Sequence, residues 1–213
     1  MVSLLDRKIA VLCLLDVLAG CAVPEVAARP PAVPPPPGQI AANCASPTYA
    51  SDVLVCADSQ LLALDARMLD AASSLDFARV LAPDAWVEDQ QQWFERRSLC
   101  AFSERHAECL RDAYIERISV LEALRWVASR PSRQGTGSVC RDAPWGEAAL
   151  RVRAPTTGAL TVEDNNARVV AAATLPRPDG LWQPHVVFSV DGATVRLRLA
   201  SGATVECSLH QGH

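Results

Sequence analysis

The chain has little that would mark an enzyme or a nucleic-acid binder. Lys8 is its only lysine, so arginine carries nearly all of its positive charge, a matter of composition rather than function. It has four histidines, scattered along 213 residues, and no G-x-S-x-G elbow, H-E-x-x-H pair or phosphate loop. Catalysis therefore has no motif to rest on, and the expectation is a protein that is not an enzyme and needs no cofactor. Paired C-x-x-C spacing is also missing, which weighs against structural zinc and against thioredoxin-like redox chemistry. Formal net charge is −4. Residues 45–125 hold 14 Asp/Glu against 8 Arg, a local net of −6 that excludes nucleic acid as a natural partner and would steer a basic one. No apolar run reaches the roughly 20 residues that a membrane-spanning helix needs.

The N-terminus has the parts of an export signal. Arg7 and Lys8 precede a mostly apolar run interrupted by Asp16, which ends in Leu18-Ala19-Gly20-Cys21. Small residues before a cysteine resemble the lipobox of bacterial lipoproteins, in which the thiol is acylated and the signal removed. The reading is a signal peptide over residues 1–20, lipid on Cys21, and a proline-rich tether to residue 43; the alternative is an ordinary secretory signal in which Cys21 is incidental. Proline-rich sequence packs no core and extends at about 3.1 Å per residue. Ala22 after the acylated cysteine resembles the outer-membrane class of Gram-negative lipoproteins, facing the periplasm or cell surface.

With Cys13 in the signal and Cys21 lipidated, six cysteines remain in an oxidising compartment, where disulfides are the default. The run FERRSLCAFSERHAECL places Cys100, His106 and Cys109 together, too few ligands for a metal site. Periodicity predicts three helices. Asp58 caps the first, which runs to Ser74 with Leu61, Leu64, Met68, Ala72 and Leu75 inward. The second starts at Asp84 after Pro83, with Trp86, Gln90, Trp93, Arg97 and Cys100 on one stripe. The third runs from Ser103 to about Val127, burying Leu110, Tyr114, Ile118, Leu121 and Leu124. Antiparallel packing of the first two favours Cys56–Cys100 with a nested Cys44–Cys109; the alternative is two local loops, Cys44–Cys56 and Cys100–Cys109. Asp65 and Arg117 are candidates for an internal salt bridge.

The sequence Cys56-x-x-x-x-Leu61-x-x-Leu64-Asp65, Gln90-x-x-Trp93-x-x-x-Arg97-x-x-Cys100, Cys109-Leu110-x-x-x-Tyr114-x-x-Arg117-Ile118 resembles the lysozyme inhibitor LprI N-terminal family. The likeness covers about residues 44–124, with Asp52 where that family usually has Glu and Val55 where it has Ile. It implies a periplasmic helical module, in some members connected with lysozyme inhibition, and it transfers no inhibitory residues.

A breaker-rich stretch, residues 129–137, reads as a hinge. Beyond it the hydrophobic period becomes two. Leu150, Val152, Leu160 and Val162 alternate with polar residues, Asp191-Gly192 and Ser201-Gly202 mark hairpins, and Val195, Leu197 and Leu199 oppose Arg196 and Arg198. These predict an antiparallel meander, a small barrel or sandwich over residues 138–210, stapled by Cys140–Cys207. His185 reads as a partly exposed wall residue. The fold class expected for the whole is α+β, a helical module of residues 44–128 followed by this β-module.

A β-domain with cysteines at its two ends is similar to the MliC family of c-type lysozyme inhibitors. Where that family carries a Ser-Gly pair before an aromatic and a Lys-Gly hairpin, this chain reads Asp179-Gly180-Leu181-Trp182 and Asp191-Gly192. The resemblance implies that Asp179, Trp182, Ser189 and Asp191 face a partner, and that the partner is a basic c-type lysozyme. Aspartate in the lysine's place predicts that the acidic helical module supplies much of the attraction and association rate. The functional expectation is a lipid-anchored lysozyme inhibitor that protects peptidoglycan; the alternative is a non-catalytic structural or interaction lipoprotein of the envelope.

Overall fold

The computed structural model describes residues 38–129, 136–141, 143–146, 149–156 and 158–210. The signal, Cys21 and most of the tether lie outside them, as does the middle of the expected hinge. The described residues form one compact unit.

The first helix, α1 (Ala50–Ala57), was not apparent in the sequence pattern. It is followed by α2 (Ser59–Ser73), whose cap is Asp58: its Oδ1 accepts from the amides of Gln60 (2.8 Å) and Leu61 (3.2 Å). That satisfies two amides that have no partner within a helix. Leu61, Met68 and Ala72 are buried as expected, and Leu64 and Leu75 pack against the same core. A single turn, α3 (Phe77–Val80), leads into β1 (Leu81–Trp86).

Here the structure corrects the expected second helix. Pro83 disfavours helical backbone at the residue before it, and Asp84 sits at φ 57°. The segment is instead a strand, pairing parallel to β5 through Leu81↔Val169 and Trp86↔Ala171. The true cap is Asp89, whose Oδ1 accepts from Gln92 N at 2.7 Å, and α4 covers Gln90–Ser98. Trp86 therefore leaves the helical stripe and meets Trp145 edge-on at 5.3 Å. A 3₁₀ turn (Leu99–Phe102) reverses the chain into α5 (His106–Ser129).

The disulfides are Cys44–Cys56 and Cys100–Cys109, not Cys56–Cys100 with Cys44–Cys109. The additional helix α1 explains the first: the incoming segment folds back on it, bringing Cys44 and Cys56 to a Cα separation of 5.5 Å. The 3₁₀ reversal explains the second, setting Cys100 beside Cys109 in the first turn of α5 at the same separation. Cys140–Cys207 joins the first and last strands of the β-part.

Seven strands close a barrel: β2 (Thr136–Arg141), β3 (Ala149–Thr156), β4 (Ala159–Glu163), β5 (Val169–Thr174), β6 (Val186–Asp191), β7 (Thr194–Leu199) and β8 (Thr204–His210). Antiparallel neighbours run β5-β4-β3-β2-β8-β7-β6, and a parallel contact between Thr174 of β5 and Val187 of β6 completes the circle. The expected meander is thus closed by a parallel seam, with β1 added outside β5. Leu150, Val162, Ala171, Val186, Val195, Leu197 and Val205 fill the interior.

Strands β4 and β5 are buried on both faces, because α5 covers them from outside. Val120, Leu124 and Val127 of α5 join Val80, Val169 and Ala172 in a cluster of their own. The opposite side of α5 offers Leu110, Tyr114, Ile118 and Leu121 to the helical core. One helix thus serves two cores.

Candidate functional site: the helix–barrel junction and the acidic helical surface

The four residues expected to face a partner do not form one surface. Ser189 and Asp191 lie exposed at the end of β6, where Asp191 pairs with Thr194 across a tight hairpin and Gly192 takes φ 55°. Asp179 is exposed and Trp182 buried in the loop that precedes β6. Asp179 and Trp182 precede β6, whose six residues, on the order of 16 Å, end at Asp191, with Ser189 two residues before that end. Trp182 joins the helical core. The Arg96 guanidinium covers its ring at 4.0 Å, a cation–π contact.

Arg96 ties the two parts of the molecule together. Its Nε and Nη2 donate to Glu88 Oε1 (2.7 Å) and Oε2 (2.6 Å), a bidentate pair, and its Nη1 donates to the Gln183 carbonyl at 2.5 Å. Beneath it, Arg117 donates from Nη1 to the Glu88 carbonyl (2.8 Å) and from Nε to Gln90 Oε1 (2.9 Å). His185 is half-buried beside this cluster; burial lowers its pKa, opposed by Glu88.

Asp65 and Arg117 do not pair. Asp65 Oδ1 accepts from Tyr114 Oη at 2.7 Å and from Ala42 N at 3.3 Å, while Arg97 takes the salt bridge, Nη2 to Asp52 Oδ1 at 2.9 Å. Arg97 Nη1 also donates to Tyr114 Oη, and Gln39 Nε2 donates to Asp52 Oδ2 at 2.8 Å. Burial raises the pKa of both Asp65 and Tyr114. Gln90, Trp93, Arg97, Tyr114 and Arg117 were the positions of the sequence motif. They are the polar and aromatic interior of the helical part, so the motif reports the fold rather than a binding face.

Between α5 and the barrel lies a cleft of about 280 Å³, lined by Ile115, Glu116, Ser119, Thr174, Leu175 and Trp182 among others. Sequence reasoning missed it, since its residues come from three segments with no common spacing. Glu116 keeps part of its surface open, yet its Oε2 is fully enclosed without a hydrogen-bond partner among the described residues. Burial pushes this carboxyl from 4.5 up to about 7, against the opposing pull of Arg117 and Arg96. Trp182 stabilises the Glu116 anion, although its indole N–H makes no well-aligned bond. Thr174 Oγ1 is enclosed and likewise unpartnered. At the rim, Arg177 Nη1 donates to Asp112 Oδ1 at 2.8 Å.

The acidic excess of residues 45–125 remains on the surface. Only Asp52, Asp65 and Glu88 among its acids are buried, together with Arg97 and Arg117. Several of the remaining arginines are held by acids, as in Arg67–Glu122, Arg105–Glu108 and Arg125–Asp70. Beside the Cys100–Cys109 disulfide, Leu99 and Phe102 are 63% and 84% exposed. Among the described residues no three His, Cys, Asp or Glu side chains are grouped to hold a metal ion, and no helix is long and apolar enough to cross a membrane.

Comparison with known protein families, with curated proteins and with solved structures finds no match to this chain.

Proposed function

We propose that the protein is a lipid-anchored binding protein of the outer membrane, held through Cys21 and not an enzyme, that restrains lysozyme and so protects peptidoglycan. The observation that carries this reading is the surface of the helical part. Its net negative charge is left mostly outside by folding, and the same part leaves Leu99 and Phe102 exposed. A basic partner would be drawn by the field and anchored by the aromatic. The barrel contributes less, because the exposed hairpin residue is Asp191 and not a cation.

The test is the rate at which lysozyme clears a peptidoglycan suspension in the presence of the full chain. Inhibition is expected to weaken as salt shortens the Debye length below about 8 Å. Phe102→Ser is expected to weaken it, and Asp191→Lys to leave it unchanged or improve it. No inhibition at any salt concentration would leave the alternative, an interaction lipoprotein without a lysozyme target. Salt-insensitive inhibition abolished by Asp191→Lys would move the contact to the barrel hairpin.

A further inference from the structure

We propose that the cleft between α5 and the barrel is a binding site for the pendant acetamido group of an N-acetylated amino sugar, so that the protein holds glycan directly as well as through any protein partner.

The argument starts from what the cleft leaves unfinished. Among the described residues, two enclosed oxygens, Glu116 Oε2 and Thr174 Oγ1, have no well-aligned partner, and neither has the Trp182 indole N–H, although it stabilises the Glu116 anion. Enclosed polar groups without partners are costly, so a ligand that completes them gains what the fold has left unmade. The remaining wall is apolar, from Ile115, Leu175, Trp182 and Pro184. A ligand fitting this set carries one N–H donor, one carbonyl acceptor and a small apolar end. An acetamido group has all three.

Charge decides against the other candidates. Around Glu116 stand Arg117, Arg96 with Glu88, and the Arg177–Asp112 pair, with His185 beside the Glu88–Arg96 pair. Above pH 7, with Glu116 ionised and His185 neutral, these three acids and three arginines cancel. A cationic ligand finds no net attraction there, and an anion meets the Glu116 carboxylate. A neutral polar group meets neither penalty.

Size decides between a sugar and a peptide. The cleft is slightly smaller than the roughly 300–1,000 Å³ that drug-sized ligands occupy. A pendant acetamido group ends in a methyl and can enter it. A backbone amide is flanked on both sides by substituted carbons and is bulkier. With the acetamido group inside, the sugar ring would rest near the exposed Ile115 and Leu175, its hydroxyls toward Asp112 and Arg177.

The experiment titrates the full chain with a trimer of N-acetylglucosamine, by calorimetry and by the NMR shift of the tryptophan indole N–H resonances. Parallel arms use the deacetylated trimer and N-acetylalanine methylamide. Lysozyme is absent, so this proposal and the lysozyme reading fail separately. Saturable binding of the acetylated trimer at millimolar concentration is expected, with little binding of either comparison ligand. Thr174→Val, which keeps the shape and removes the hydroxyl, should weaken binding about two- to tenfold, the range of one hydrogen bond. Ser119→Phe, which fills the cleft from α5, should abolish it. No saturable binding of the acetylated trimer would overturn the proposal, as would equal or tighter binding of the deacetylated trimer or of the peptide amide. Should Ser119→Phe fail to fold, the Thr174→Val titration decides: unchanged affinity there overturns the proposal.

Discussion

Arg97 has no solvent contact, and its charge is answered inside the protein by Asp52, Tyr114 and the face of Phe94 at 4.3 Å. Burying such a pair stabilises little by itself, but removing one member strands the other. Asp52→Asn should therefore destabilise the protein by about 3–5 kcal/mol. Urea unfolding measures this, and a loss under 1 kcal/mol would mean that Gln39 and Tyr114 hold Arg97 without the carboxylate. Glu116 tests the opposite situation, a carboxyl better off neutral. Its folded pKa lies above its ordinary value, so the native state binds the extra proton between pH 4.5 and about 7. Its contribution to stability is therefore fully present below 4.5 and is lost as pH rises through about 7. Glu116→Gln removes that dependence. The variant should gain on the wild type by on the order of 2–3 kcal/mol between pH 4.5 and 8. Unfolding curves for the two proteins at both pH values give the difference, and other titrating groups cancel in the comparison. Parallel curves would show that Glu116 ionises freely.

The elements differ in how strongly their cross-links act. Cys44–Cys56 and Cys100–Cys109 span 12 and 9 residues, so each should contribute about 2.5–3 kcal/mol by chain entropy. Cys140–Cys207 spans 67 residues and should contribute about 4.4 kcal/mol. Paired Cys→Ala variants should order their melting temperatures accordingly, with the barrel variant lowest; the reverse order would show that strain or residual unfolded structure outweighs loop length. The change of hydrophobic period from helical to two made the division into helical and β segments legible, and the Asp58 cap fixed one helix start to the residue. Two kinds of element were not legible. Strand β5, Val-Val-Ala-Ala-Ala-Thr, is buried on both faces and so carries no alternation. Strand β1 contains Pro83 and owes its existence to pairing with β5, a partner more than 80 residues away that no local pattern reveals. The disulfide pairing failed for a related reason. Helix packing alone does not reveal the helix α1 and the 3₁₀ turn that bring neighbouring cysteines together. The cleft was hidden as well, since Glu116 reads as one more polar position on a helix until the barrel covers it.

At the scale of the molecule, α5 is the shared wall. Leu110, Tyr114, Ile118 and Leu121 belong to the helical core, while Val120, Leu124 and Val127 belong to the junction with β5. Two segments that the sequence separates by a breaker-rich stretch are therefore joined by packing, by the β1–β5 pairing and by the Arg96 bridge to Gln183. They should unfold together. Leu124 is fully buried in the junction, and Leu124→Ala should cost about 2–5 kcal/mol. If the two parts are one cooperative unit, that loss must appear in both. Hydrogen exchange of amides in α2 and in β7, neither of which contributes to the junction cluster, should then show equal loss of protection. Loss confined to α2, with β7 unchanged, would mean that the barrel stands alone and that the junction is a contact between two separately folding bodies. That outcome would also bear on function, because a cleft built between bodies that unfold separately would not keep Glu116 and Thr174 enclosed.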